Sequence, residues 1–179
     1  MKKFIVLSIA MISLFYMSEK ANAGFLIDPY AGIGSSASTL DSPTKEDKTA
    51  SSNVMGARLG YSFLLLSAGI DYQMLNGKDA QNNDMKVTST SAFVGVDLPI
   101  LLRFWGEYFF GSNPTGDTFD TYDTSFKDGY GLGIGFTGLP FVSINLEVET
   151  LNYDMDLSGT DYQYSTASTI LSVSLPLNL

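Results

Sequence analysis

Glu147 and Glu149 stand two residues apart, which on an extended chain places both carboxylates on one face. Paired carboxylates are raw material for general acid–base chemistry and for cation binding. Asp28, Asp71, Asp97 and Glu107 occur in the same kind of alternating apolar–polar stretch, and so do Arg58 and Arg103, the only arginines of the chain. The 179 residues include neither His nor Cys. That removes the commonest general base, the thiol nucleophile, the Cys-ligated metal and the disulfide framework. Acidic and guanidinium groups without a nucleophile point to electrostatic pairing, and no catalytic residue, metal or cofactor is expected.

Two stretches match motifs formally. Gly133-x-Gly135-x-x-Gly138 fits a dinucleotide fingerprint, but Leu139, Pro140 and a further alternating segment follow it. The motif needs a helix there to hold the pyrophosphate. "DMDLSG" (Asp154–Gly159) resembles the first half of an EF-hand loop, yet Ser165 stands where the bidentate Glu belongs. Asp117, Asp120, Asp123 and Asp128 read as a solvated acidic surface, with a weak divalent-cation site as the alternative.

The elements that must position these groups are strands. The first residues are set apart: Lys2 and Lys3, a short apolar run from Phe4 to Tyr16, then Ala21 and Ala23 in an A-x-A pattern before Gly24. This reads as an export signal over residues 1–23, because the run is shorter than the ~20 residues of a spanning helix. Loss of Lys2, Lys3, Glu19 and Lys20 would move the formal charge from −9 to −11. Nucleic acid is thereby excluded as a partner, since phosphate binding needs clustered Lys and Arg.

From Gly24 onward the chain alternates with period two. Strands are predicted at Phe25–Gly34, Val54–Ser62, Ser67–Leu75, Lys86–Asp97, Leu102–Phe110, Gly129–Thr137, Val142–Leu151 and Thr166–Leu177. One face, with Leu59, Ile70, Val94, Phe104, Leu132, Ile144, Leu146 and Leu171 among its members, carries no charge. The other is small or polar and holds Asp28, Arg58, Asp71, Asp97, Arg103, Trp105, Glu107, Glu147 and Glu149, together with Gly129, Gly131, Gly133 and Gly135.

A narrow barrel has room inside for only its own inward side chains. The bulky uncharged face therefore belongs outside against lipid, and the small and charged face lines the lumen. The glycines of "DGYGLGIGF" (Asp128–Phe136) then leave space for Trp105 and Phe109 of the preceding strand. Short connections at Phe63–Leu66, Leu98–Leu101 and Gly138–Pro140 alternate with long polar ones at Ser35–Asn53, Asn76–Met85, Gly111–Asp128 and Asn152–Ser165. Tyr30, Tyr61, Tyr72, Tyr108, Phe110 and Tyr130 are expected in aromatic girdles.

The stretches "LIDPYAGIG" (Leu26–Gly34), "ARLGYSF" (Ala57–Phe63) and "LLRFWGEYFF" (Leu101–Phe110) resemble the small eight-stranded outer-membrane barrels of Gram-negative bacteria, the OmpA-type and OmpX-type group. The resemblance implies an all-β, eight-stranded antiparallel up-and-down transmembrane barrel over residues 24–179. It also implies an outer-membrane location among lipid and lipopolysaccharide, and insertion by the barrel-assembly machinery. Members of the group usually end on an aromatic residue; this chain ends "VSLPLNL", with Pro176 in the last strand and Leu179 at the end. Outer-membrane enzymes of this size use a His-assisted hydroxyl, and no His is present, so the expectation is a non-enzyme. The leading reading is a structural or surface-interaction barrel whose lumen is held by a network of Arg58, Arg103, Glu107, Asp28, Asp71, Glu147 and Glu149. A narrow channel for ions or small solutes is the alternative, and a soluble periplasmic ligand-binding barrel a third.

Overall fold

In a computed structural model the described residues are 23–40, 48–78, 83–116, 123–156 and 161–179. Alternation becomes strand throughout them: β1 (Gly24–Leu40), β2 (Lys48–Phe63), β3 (Leu66–Lys78), β4 (Asp84–Leu98), β5 (Leu102–Gly116), β6 (Asp123–Phe136), β7 (Ser143–Asp156), β8 (Asp161–Ser174) and a short β9 (Leu177–Asn178). Each strand pairs antiparallel with the next, and β8 returns to β1. The sheet is closed into an eight-walled barrel with β9 continuing the line of β8. Between β5 and β6 the ladder runs from Leu102–Phe136 to Phe109–Gly129 and stops there; over that depth the wall is closed, the condition for strands to stand in hydrocarbon.

The predicted final strand, Thr166–Leu177, is broken in two. β8 ends at Ser174 and β9 resumes at Leu177, opposite Leu26 and Ile27. Pro176 has no N–H for the ladder, and Pro29 occupies β1 near the same seam. A single bond from the Leu175 N–H to the Pro29 carbonyl, 3.0 Å, bridges the gap.

Both ends of the described barrel wall, Gly24 and Leu179, lie at the rim of the short turns, where Phe25 and Leu179 exchange two backbone bonds. The three short turns each hold one non-glycine residue in the left-handed region: Leu64 (φ 57°), Leu101 (φ 64°) and Phe141 (φ 66°). At the other rim the strands run further than the sequence reading allowed. All eight wall strands, β1 to β8, extend into stretches assigned to the long loops. Ser, Thr and Asn suggested loops there, but these residues bond across the ladder: Ser36 to Ser168 at 2.9 Å, Ser38 to Thr166 at 3.2 Å and Ser89 to Ser112 at 3.0 Å. Asp154 accordingly lies in β7, and Leu157–Gly159 of the EF-hand-like stretch fall outside the described residues, as do Asp117 and Asp120. Asp128 is half-buried at a bulge and accepts a 2.6 Å bond from Asn152 Nδ2, so it is not a freely solvated carboxylate.

The outer wall is apolar. Ile33, Ile70, Val94, Leu132, Leu146 and Leu171 are all exposed, Leu132 and Val94 to 65%. From Leu102 to Phe110 the outward face of β5 covers about nine residues, which at ~3.3 Å each and a ~40° tilt rise ~20 Å, close to the height of an outer-membrane apolar band. Tyr72, Tyr108, Phe110 and Tyr130 stand outward toward one end of it, and Phe25, Tyr61, Phe63 and Phe141 toward the other. Tyr30 does not join these girdles. It shares the phase of Asp28 on β1, points into the lumen and is 4% exposed. Val142, the first residue of the predicted strand Val142–Leu151, precedes β7 and is half-buried.

Candidate functional site: the barrel lumen

Cross-strand register brings the charges together. On β2, Arg58 lies opposite Asp28 of β1 on one side and Asp71 of β3 on the other. Its guanidinium reaches Glu147 of β7 at 2.7 Å, Asp71 and Glu107 at 3.3 Å, and Asp28 at 3.8 Å. Arg103 of β5 lies opposite Asp97 of β4, pairs with it at 2.7 Å, and reaches Asp28 at 3.0 Å across the lumen. Asp28 thus links the two arginines. Arg58, Asp28, Asp71, Glu107 and Glu147 are all buried. Buried charge must be paired, because an unpaired ion loses its hydration without return.

Aromatic rings complete the Arg58 cage. Its guanidinium carbon lies 4.7 Å from the Tyr30 ring centre and 4.4 Å from that of Trp105, a cation–π arrangement on both sides. Tyr30 Oη donates to the Asp71 carboxylate at 3.0 Å, and Ser91 Oγ donates to Glu107 Oε2 at 2.9 Å. Glu149 stands apart from the arginines. It accepts a 2.7 Å bond from Gln73 Nε2 and makes no ion pair among the described residues.

Glycines create the volume for these rings. A Cβ at Gly133 would collide with the Trp105 indole, and one at Gly56 with the Tyr30 phenol. A Cβ at Gly131 would lie 3.4 Å from the Phe109 ring and 3.4 Å from Glu149 Cγ. The alternating glycines of β6 are therefore the floor on which the β5 aromatics rest, and bulk on one strand is matched by absence on its neighbour.

Beyond Trp105 and Phe109, which the β6 glycines imply, the apolar lumen residues are not legible from a face read as small or polar. Val54, Leu75 and Ile170 pack with Tyr30 in one buried cluster, and Phe109, Leu151 and Tyr153 form another. On each strand they follow the charged residue in the direction of the long connections: Val54 beyond Arg58, Leu75 beyond Asp71, Phe109 beyond Glu107, Leu151 beyond Glu149. Further out, Tyr153 packs edge-to-face on Phe126 at 5.7 Å between ring centres and exchanges a 2.8 Å hydroxyl bond with Ser112. Gln73, Tyr30 and Ser91 belong to the charged layer too, and their odd–even phase beside Asp71, Asp28 and the strand-β4 lumen positions was the available signal.

Among the described residues no nucleophile–base pair accompanies the carboxylates. Glu147 and Glu149 are 1% and 3% exposed, and the groove that Glu149 helps to line is otherwise bordered by outer-wall residues such as Tyr130, Leu132 and Val148. No cluster of acidic, His or Cys side chains suited to a metal ion occurs among the described residues.

Neither a protein-family model nor a curated protein sequence matches this chain. Solved structures do. Neisserial surface protein A superposes with a TM-score of 0.55 at 16% identity, over 86% of this chain and 98% of that one. Ail, the attachment invasion locus protein of Yersinia pestis, gives a TM-score of 0.55 at 12% identity, over 87% of this chain and 100% of its own. The outer-membrane protein AlkL, solved in lipid bilayers, gives 0.51 at 9% identity, over 88% and 92%. The fold is that of the small eight-stranded outer-membrane β-barrels. Such a barrel carries a lipid-facing wall and a polar interior, and the described interior here holds buried ion pairs and two apolar clusters.

Proposed function

We propose that the chain is an integral outer-membrane barrel, exported by its first 23 residues, with a structural or surface-interaction role and a lumen that conducts nothing. One observation carries this reading: the lumen is packed with side chains, ion pairs toward the short turns and apolar clusters beyond them. The outer wall supports the membrane location, because so wide an apolar surface would aggregate in water. The same wall weighs against a soluble periplasmic barrel. With the core closed, the surfaces left for recognition are the rims, and at one rim the strands extend past the apolar band. Lipopolysaccharide would surround the wall there. Ail has been crystallised with the heparin analogue sucrose octasulfate, a polyanion; this chain is acidic, with a formal charge of −9, and a partner for its rim would be cationic or neutral.

Purified protein reconstituted in planar bilayers tests the reading. Silence under applied voltage, together with folded mobility on unheated gels and release from cells only by detergent, is the expected result. Reproducible openings abolished by Arg103→Ala or Glu107→Ala would establish the channel instead, and release by osmotic shock alone would establish a soluble protein.

A further inference from the structure

Five buried carboxylates, Asp28, Asp71, Glu107, Glu147 and Glu149, share the lumen with two guanidiniums. Four of the five lie within 4 Å of an arginine nitrogen, and Glu149 is the exception. Among the described residues its one hydrogen-bonding side chain is Gln73, whose Nε2 donates to Glu149 Oε1 at 2.7 Å. The remaining oxygens of this same pair, Gln73 Oε1 and Glu149 Oε2, are both buried, and neither has a partner. An amide and an ionised carboxylate have only one donor group between them. Two buried acceptors therefore stay unsatisfied, each losing its hydration without return, the charged one more than the neutral one.

The neighbouring charges are mostly of its own sign. Glu107 of β5 and Asp71 of β3 are the like charges that act on Glu149, Glu147 precedes it on β7, and Arg58 of β2 is the opposing charge, already shared among four other carboxylates. The strands at its sides bring nothing cationic: Gly131 of β6 and Ser168 of β8 are its register partners. Just external to it, Leu151 and Phe109 begin the apolar cluster.

We propose that Glu149 is a neutral carboxylic acid in the folded barrel, its Oε2–H donating to Gln73 Oε1 while Gln73 Nε2 donates to Glu149 Oε1. One proton on Oε2 satisfies both orphan oxygens at once and turns the contact into a two-bond acid–amide ring. It also removes the charge of the one buried carboxylate that touches no arginine nitrogen among the described residues. The pair is a proton-binding site that caps the ionic layer where the apolar clusters start.

Infrared difference spectroscopy of the full-length folded protein at neutral pH, in water and in heavy water, reads this directly. The expected spectrum contains the carbonyl stretch of a protonated carboxyl, sensitive to deuteration, and Glu149→Gln loses it. Gln at 149 still makes both bonds as an amide, so the fold is expected to persist, checked by mobility on unheated gels. Absence of the band in the unaltered protein, or its survival in Glu149→Gln, would overturn the proposal. Should Glu149→Gln fail to fold, Gln73→Met decides: the band must shift as its amide partners vanish, and an unmoved band is the refuting outcome.

Discussion

The Trp105 indole on β5 lies directly over Gly133 of β6, its register partner, so closely that a Cβ at 133 would collide with the ring. A strand that reads as weak in isolation is strong in this context, because its missing side chains are occupied by its neighbour's. Gly133→Val is expected to destabilise the barrel by about 1–3 kcal/mol through overpacking. Urea unfolding in detergent micelles measures it. Trp105→Ala in the same chain should recover part of the loss, since residues in contact do not act additively. Equal, additive losses would show that the two positions do not share one volume.

Removing Arg58 tests the ionic layer. Arg58→Ala strips the common partner from Asp28, Asp71, Glu107 and Glu147 and leaves Tyr30 and Trp105 facing an empty site. Breaking a buried pair from one side costs about 3–5 kcal/mol. Denaturant midpoints with and without the substitution read the loss. Lys at 58 is expected to recover little, because a point charge cannot reproduce the planar fork between two rings. A change within experimental error for Arg58→Ala would mean the network is not part of the folded core.

The short turns give the opposite sign. Leu64, Leu101 and Phe141 adopt positive φ, which costs an L-residue roughly 1–2 kcal/mol relative to glycine or asparagine. Leu101→Gly relieves that strain while increasing the entropy of the unfolded chain, and a net gain of up to about 1 kcal/mol is expected. Refolding titrations test it. Loss of stability would indicate that the exposed Leu101 side chain contributes more at the membrane interface than its backbone costs.

Much of this is legible in the amino-acid sequence. Period-two alternation reports which residues share a face, so Arg58, Asp71, Glu107 and Glu147 were placed on one side of the wall from spacing alone. Register is a different matter: that Asp28, Arg58 and Asp71 form a row depends on turn lengths and shear, which composition does not encode. Tyr30 was misplaced because aromatic character near a strand end suggested a girdle, while its phase beside Asp28 pointed inward. The long connections were overestimated for a related reason. Above the apolar band both faces of a strand are polar, and a Ser-rich stretch such as Ser35–Thr39 carries no alternation to reveal that it is paired. Ile170 and Leu75 escaped notice because isolated apolar residues in a polar lumen break no pattern of charge.

Charge placed on the outer wall should be costly according to depth. Leu132→Arg, near the middle of the apolar band, is expected to cost ~2–4 kcal/mol in lipid, and the same change near the rim at Ala37 about 0–1 kcal/mol. Unfolding in lipid vesicles separates the two. Equal penalties at both positions would mean that no hydrocarbon gradient acts on this face.

The orientation of the two faces underlies every assignment made for the protein, and site-directed spin labelling measures it most directly. The native chain lacks cysteine, so one introduced thiol gives one label. With labels at Leu132 and Ile144 in lipid vesicles, collisions with dissolved oxygen are expected to be frequent and collisions with a water-soluble nickel complex rare. Frequent encounters with the nickel complex and protection from oxygen at both positions would contradict the account.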